Sequence, residues 1–149
     1  MEKTRLSFGC FAGAVTLGLI GYVGIASAKT DIKGAAILDH PCGKVSVKQM
    51  GYVHAGNMDE ANKLSTPEMQ AQWKAMPAKD RTMMTGMMKD MSQTEAQYSA
   101  DIKSGGVLTV DGANAVLTVK KTTKDANGSS NSTMTQNFKL AGNQCMITR

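Results

Sequence analysis

Histidine is scarce in this chain. His40 and His54 are the two among 149 residues, and no Ser-His or Cys-His nucleophile arrangement accompanies them. With so few general acid–base groups near neutral pH, no enzyme is expected. Cysteine is also sparse, at three residues: Cys10, Cys42 and Cys145. No C-x-x-C or H-x-x-x-H spacing supports His40-Pro41-Cys42, so that tripeptide is at most half of a metal site. The absence of C-x-x-C-H excludes covalently attached haem. Aromatic residues make up 5% of the chain. Lysines such as Lys44, Lys48, Lys63, Lys120 and Lys121 are scattered, with no Arg-rich or aromatic-interleaved stretch. Nucleic acid is therefore not an expected partner. No internal repeat is present, and no cofactor is expected.

One apolar run stands out, Phe11 to Ala28. Lys3 and Arg5 precede it, and it closes on Ala26-Ser27-Ala28, the small-x-small pattern of a signal-peptidase site. Gly13, Gly18, Gly21 and Gly24 interrupt the run, which at about 18 residues is marginal for a bilayer crossing. Residues 1–28 are read as a cleavable signal peptide and residues 29–149 as a single domain, periplasmic or secreted. The membrane then matters only through the signal before cleavage. Cys10 precedes the apolar run, the wrong side for lipid attachment. Without Glu2, Lys3 and Arg5, the 17 basic and 12 acidic residues become 15 and 11, a mild net charge of +4.

The exported domain keeps an even pair of cysteines. An oxidising compartment favours a Cys42–Cys145 disulfide over two buried thiols that never meet. A bridge closing about a hundred residues is credited with about 4–5 kcal/mol by chain entropy.

Lys29–Lys33 reads as a flexible leader and Gly34–Leu38 as a short helical turn. Cys42–Ala55 is ambiguous: Val45-Ser46-Val47 alternates, whereas Val47, Met50 and His54 share a helical face. A helix is favoured, closed by Gly56. Asn57 caps a short helix over Met58–Leu64, with Asp59 and Glu60 in its first turn. Ser65-Thr66-Pro67-Glu68 starts another, ending at Met76-Pro77. A further helix spans Ala78–Met91. Tyr98, Ala100 and Ile102 alternate with polar residues and predict a strand. More strands follow at Val107–Val110, Ala113–Lys120, around Met134–Leu140 and at Cys145–Thr148, with turns at Asp111-Gly112 and Ala141-Gly142-Asn143. Asn127-Gly-Ser and Asn131-Ser-Thr match glycosylation sequons but are read as turn chemistry in a hairpin loop. The class is α+β: N-terminal helices on a curved antiparallel sheet of about four strands.

Three passages resemble the nuclear transport factor 2-like domains of small exported proteins. They are GYVHAGNMDEANKLSTPEM, VDGANAVLTVKKT and KLAGNQCMITR. The resemblance spans roughly residues 34–149 and implies a cone of helices leaning on a curved sheet. Cys145 stands where relatives usually carry Trp, which suggests its recruitment for a bridge. Folds of this kind serve enzymes, binding modules and secretion parts alike, so the resemblance does not fix a function. Enzymes of this fold place a carboxylate with Tyr or His in the pocket; Tyr98 with Asp101, and Asp90, are the nearest candidates, but Tyr98 and Asp101 face opposite ways on a strand.

Methionine is abundant, with 12 residues, of which Met83, Met84, Met87, Met88 and Met91 fall in nine positions. A stripe at helical spacing ordinarily marks a buried face. The favoured expectation is a non-enzymatic binding domain for a small apolar ligand or protein partner. Its pocket would lie between that helix and the sheet, lined by Met84, Met87, Met88, Met91, Leu117, Val119 and Phe138. The alternative is Cu(I) binding by the soft thioethers of Met84, Met87, Met88 and Met91, with His54 and Met50 one turn apart as added ligands. The two part on whether the stripe is buried or exposed beside His54.

Overall fold

The structure, a computed structural model, describes residues 28–125 and 128–149. Residues 1–27 of the expected signal peptide, and Asn127, thus lie outside the described residues. Strand β1 (Thr30–Lys33) is followed by a 3-10 helix (Gly34–Asp39) and five α-helices: α1 (Pro41–His54), α2 (Met58–Lys63), α3 (Pro67–Ala75), α4 (Ala78–Met91) and α5 (Glu95–Gly105). Strands β2 (Gly106–Asp111), β3 (Asn114–Asp125), β4 (Gly128–Ala141) and β5 (Gln144–Thr148) complete the chain. The fold is α+β, and the sheet is a five-stranded antiparallel meander in the order β1-β2-β3-β4-β5.

The fifth strand corrects the expectation of four. Thr30–Lys33 is an edge strand rather than a loose leader, with Ile32 opposite Leu108. Its residues are mostly exposed, so hydrophobic alternation had little to register. The larger correction concerns Tyr98 to Ile102, which is helical. Tyr98 and Ile102 are spaced both as alternate strand residues and as i, i+4 on a helix; both are buried, while Ala100 is exposed. Thr94 and Gln97 form a capping box at the start of α5: Gln97 N donates to Thr94 Oγ1 and Thr94 N donates to Gln97 Oε1, each at 3.2 Å. That Thr-x-x-Gln signature was legible in the sequence and outweighs the alternation.

The other helix boundaries follow local chemistry. Gly56 has φ +77°, the left-handed conformation that ends α1 after its Ala55 cap. Pro67 opens α3 and Pro77 separates it from α4. Gly112 and Gly142 take positive φ in the β2–β3 and β4–β5 hairpins.

The main core lies between the inner sheet face and α1, α5 and the 3-10 helix. Leu108, Leu117 and Phe138 from the sheet meet Ile37, Cys42, Tyr98 and Ile102. Gly43 allows the 3-10 helix to reach α1: a Cβ there would sit 1.8 Å from the Ile37 carbonyl oxygen. Cys42 and Cys145 form a disulfide inside this core, joining α1 to β5 across 103 positions. The bridge is compatible with an oxidising, exported compartment. Among the described residues, no helix is long and apolar enough to cross a membrane. A second, smaller core joins Val53, Met58, Ala61 and Trp73.

Candidate functional site

Helix α4 buries no residue. It packs chiefly on α1 and not on the sheet. Met83, Met87 and Met91 are 64%, 58% and 79% exposed, while Met84 and Met88, at 38% and 37%, turn toward the body. The stripe is therefore not a buried face. The seven side chains expected to line one pocket are divided: Leu117, Val119 and Phe138 are buried in the main core, and none of the three lines the hollow that Met84 and Met88 border. Sequence periodicity identified an apolar helix face but carried no information on which layer it would meet.

What Met84 and Met88 do line is a groove of about 270 Å³ between α4 and the α2–α3 pair. Met58, Met69 and Met76 contribute from the other side, and Trp73 lies with them. Five thioethers and the chain's single tryptophan thus converge on one hollow. Trp73 is held by its indole Nε1, which donates to Asp59 Oδ1 at 2.8 Å. The sequence places Met69, Trp73 and Met76 on one face of the helix that opens at Pro67, but Met58 belongs to another short helix, so no single stripe marks their convergence with α4. A wider hollow of about 560 Å³ lies alongside, nearer the start of α4 and sharing Met58 and Trp73, but Asn57, Asp59, Glu60 and Arg81 give it a polar wall.

One wall of the methionine groove is polar by construction. Ser46 of α1 lies 2.9 Å from the buried Tyr98 hydroxyl and also donates to Gln136 Oε1. Serine has one proton to give, so Tyr98 is the donor to Ser46. Burial pushes the Tyr98 phenol above its ordinary range, against the opposing Ser46 hydrogen bond, and the Asp101 charge raises it further. Gln136 Nε2 in turn donates to Gln49 Oε1. Gln49 stands one helical turn from Ser46 and lines the groove. The relay fixes the Gln49 carboxamide with its oxygen occupied and its NH₂ as the remaining donor group.

Arg149 completes that wall. Asn137 pairs with Thr148 at the end of the β4–β5 ladder, and Arg149 follows directly. It shares the strand parity of Cys145 and Ile147, both buried on the helix side. The Leu64–Thr66 segment locks onto the same strand: Thr66 N donates to Ile147 O at 2.9 Å and Ile147 N donates to Leu64 O at 3.0 Å.

The remaining candidates are placed as follows. His54 is exposed, and its Nδ1 lies 3.2 Å from Ser92 Oγ, next to Met91 at the end of α4. Met50, its proposed co-ligand, packs instead against the main core. His40 caps α1, its Nδ1 accepting from Cys42 N at 3.2 Å, and burial lowers its pKa from 6.5. Asp101 pairs with Lys121 at 3.3 Å, and Tyr98 is 1% exposed, so they do not share an open site. Asp90 is exposed on α4. Asn131 lies in β4 opposite Thr122 rather than in a loop, and Thr122 Oγ1 donates to its Oδ1 at 2.8 Å. Among the described residues, no group of three His, Cys, Asp or Glu side chains is placed to hold a metal.

Comparison with protein-family models, curated proteins and solved structures finds no match for this chain.

Proposed function

We propose that the chain is an exported, non-enzymatic binding domain that takes a small apolar ligand in the groove between α4 and the α2–α3 pair. One observation carries this reading: Met58, Met69, Met76, Met84 and Met88 converge there with Trp73, while α4 contributes nothing to either core. Unbranched, polarisable thioethers adapt to varied apolar shapes. At about 270 Å³ the groove falls just below the roughly 300–1,000 Å³ of drug-sized pockets, which favours a small occupant. Export, periplasmic or fully secreted, is proposed from the signal-like N-terminus, and the Cys42–Cys145 bridge supports it. The five helices that precede β2 and the antiparallel meander of β2–β5 support the proposed nuclear transport factor 2-like kinship.

The test uses N-phenyl-1-naphthylamine, a neutral apolar dye, excited by energy transfer from Trp73. Saturable transfer is expected, with loss in a Met84→Asp/Met88→Asp variant. No saturable transfer in the parent protein, or full binding by the variant, refutes the groove.

A second reading, Cu(I) binding, is favoured by a different observation. Met87 and Met91 are exposed one turn apart, and His54 reaches Ser92 beside them. Thioether and imidazole donors suit Cu(I). Here the outer face of α4 is the site, and Met50 plays no part.

A further inference from the structure

The groove has walls of two kinds, and the one ionisable side chain on them is basic. Its apolar part is methionine and Trp73. Its polar part includes Arg149, the Gln49 carboxamide, and the side chains of Asn62, Ser65 and Gln72. No acidic side chain lines it. Among the described residues the ion pairs are Lys63–Glu60 and Lys121–Asp101, so Arg149 enters neither. Gln136 donates to the Gln49 oxygen, which turns the Gln49 NH₂ away from Gln136 as a donor group. A guanidinium and an oriented amide donor on one wall complement an anion.

We infer that the ligand is a small amphiphile with an anionic head, its apolar chain against the methionines and its head at Arg149 and Gln49. This rests on the groove reading above and deepens it. Gln49 is oriented by the relay from Tyr98 through Ser46 and Gln136, and Arg149 follows directly on β5, which the Leu64–Thr66 clasp holds at Ile147. The groove volume suits a short chain, with any excess length extending into solvent. A cationic head would meet Arg149 with repulsion, and a neutral alcohol would gain only the apolar part.

The experiment compares octanoate, 1-octanol and octyltrimethylammonium on the disulfide-bonded protein at pH 8, following Trp73 emission. Octanoate is expected to bind about tenfold more tightly than octanol, the worth of one charge-assisted hydrogen bond. Octyltrimethylammonium is expected to bind more weakly than octanol. Arg149→Gln, an exposed substitution, should remove the preference for octanoate over octanol. The preference should also shrink at high salt, because the head lies at the surface. Equal binding of octanoate and octanol overturns the anionic head while leaving the apolar groove intact. Failure of all three amphiphiles to bind overturns both.

Discussion

The Trp73 indole donates to Asp59 Oδ1 at 2.8 Å, and this bond ties α3 to α2 beneath the methionine groove. Asp59→Ala should cost about 1 kcal/mol, toward the low end for a bond to a charged acceptor because Asp59 is solvated. It should also shift Trp73 emission. Asp59→Asn, which keeps an acceptor oxygen, should restore most of both. Urea unfolding followed by fluorescence reads the two together. Unchanged emission in the alanine variant would show that the bond does not position the indole.

The Cys42–Cys145 bridge closes nearly the whole described domain. Replacing both cysteines with serine should cost about 2–5 kcal/mol, since the long loop gains its entropy back on unfolding and two buried polar hydroxyls enter the core. If the proposed export holds, mass spectrometry of the protein recovered from outside the cytoplasm should find the chain beginning at Lys29 and two hydrogens lighter than its reduced form.

Gly43→Ala sets two effects against each other. Alanine improves an α-helix by about 1 kcal/mol. Its methyl would also press on the Ile37 carbonyl, backbone that cannot swing away. Overpacking of this kind typically costs about 1–3 kcal/mol, so net destabilisation is expected in a thermal melt. The same change at Gly86, which faces open space on α4, should stabilise.

His40 should make the protein less stable in mild acid. Its folded pKa lies below 6.5, so the unfolded chain takes up the proton first as pH falls. The contribution is fully present above about pH 6.5 and is lost as pH falls through the lowered folded value. Protonation also removes the Nδ1 acceptor that caps α1. His40→Asn, a strong cap without the titration, should flatten the pH dependence measured by urea midpoints between pH 5 and pH 8.

Leucine replacement of Met84, Met87, Met88 and Met91 separates the two binding readings. Each change is expected to alter stability by less than about 0.5 kcal/mol, because all four are partly exposed and Leu and Met are equal helix formers. Apolar dye binding should survive. Competition with a Cu(I) chelator should be abolished if the thioethers bind copper. Competition by the parent protein that survives in the variant would place copper elsewhere.

The alternation of Ala115, Leu117 and Val119, the Gly56, Gly112 and Gly142 turns, and the prolines opening or separating helices follow from neighbours in sequence. So do the bounds of α4. Such features are local: a cap, a turn dihedral or a face period is decided within a few residues. Tyr98 and Ile102 mark the limit, since their spacing satisfies both periods and the Thr94–Gln97 box decides between them.

Three things required the folded chain. Thr30–Lys33 became a strand only because β2 offered it an unpaired edge. The α4 stripe faces solvent and a groove because α1, and not the sheet, is its main support. The groove itself draws Met58 from α2, Met69 and Met76 from α3 and its C-cap, and Met84 and Met88 from α4, with Arg149 following β5 and Gln49 set by a relay spanning α5, α1 and β4. Periodicity states that a helix has an apolar face. What that face meets depends on which other surfaces are already occupied, and only long-range packing decides that.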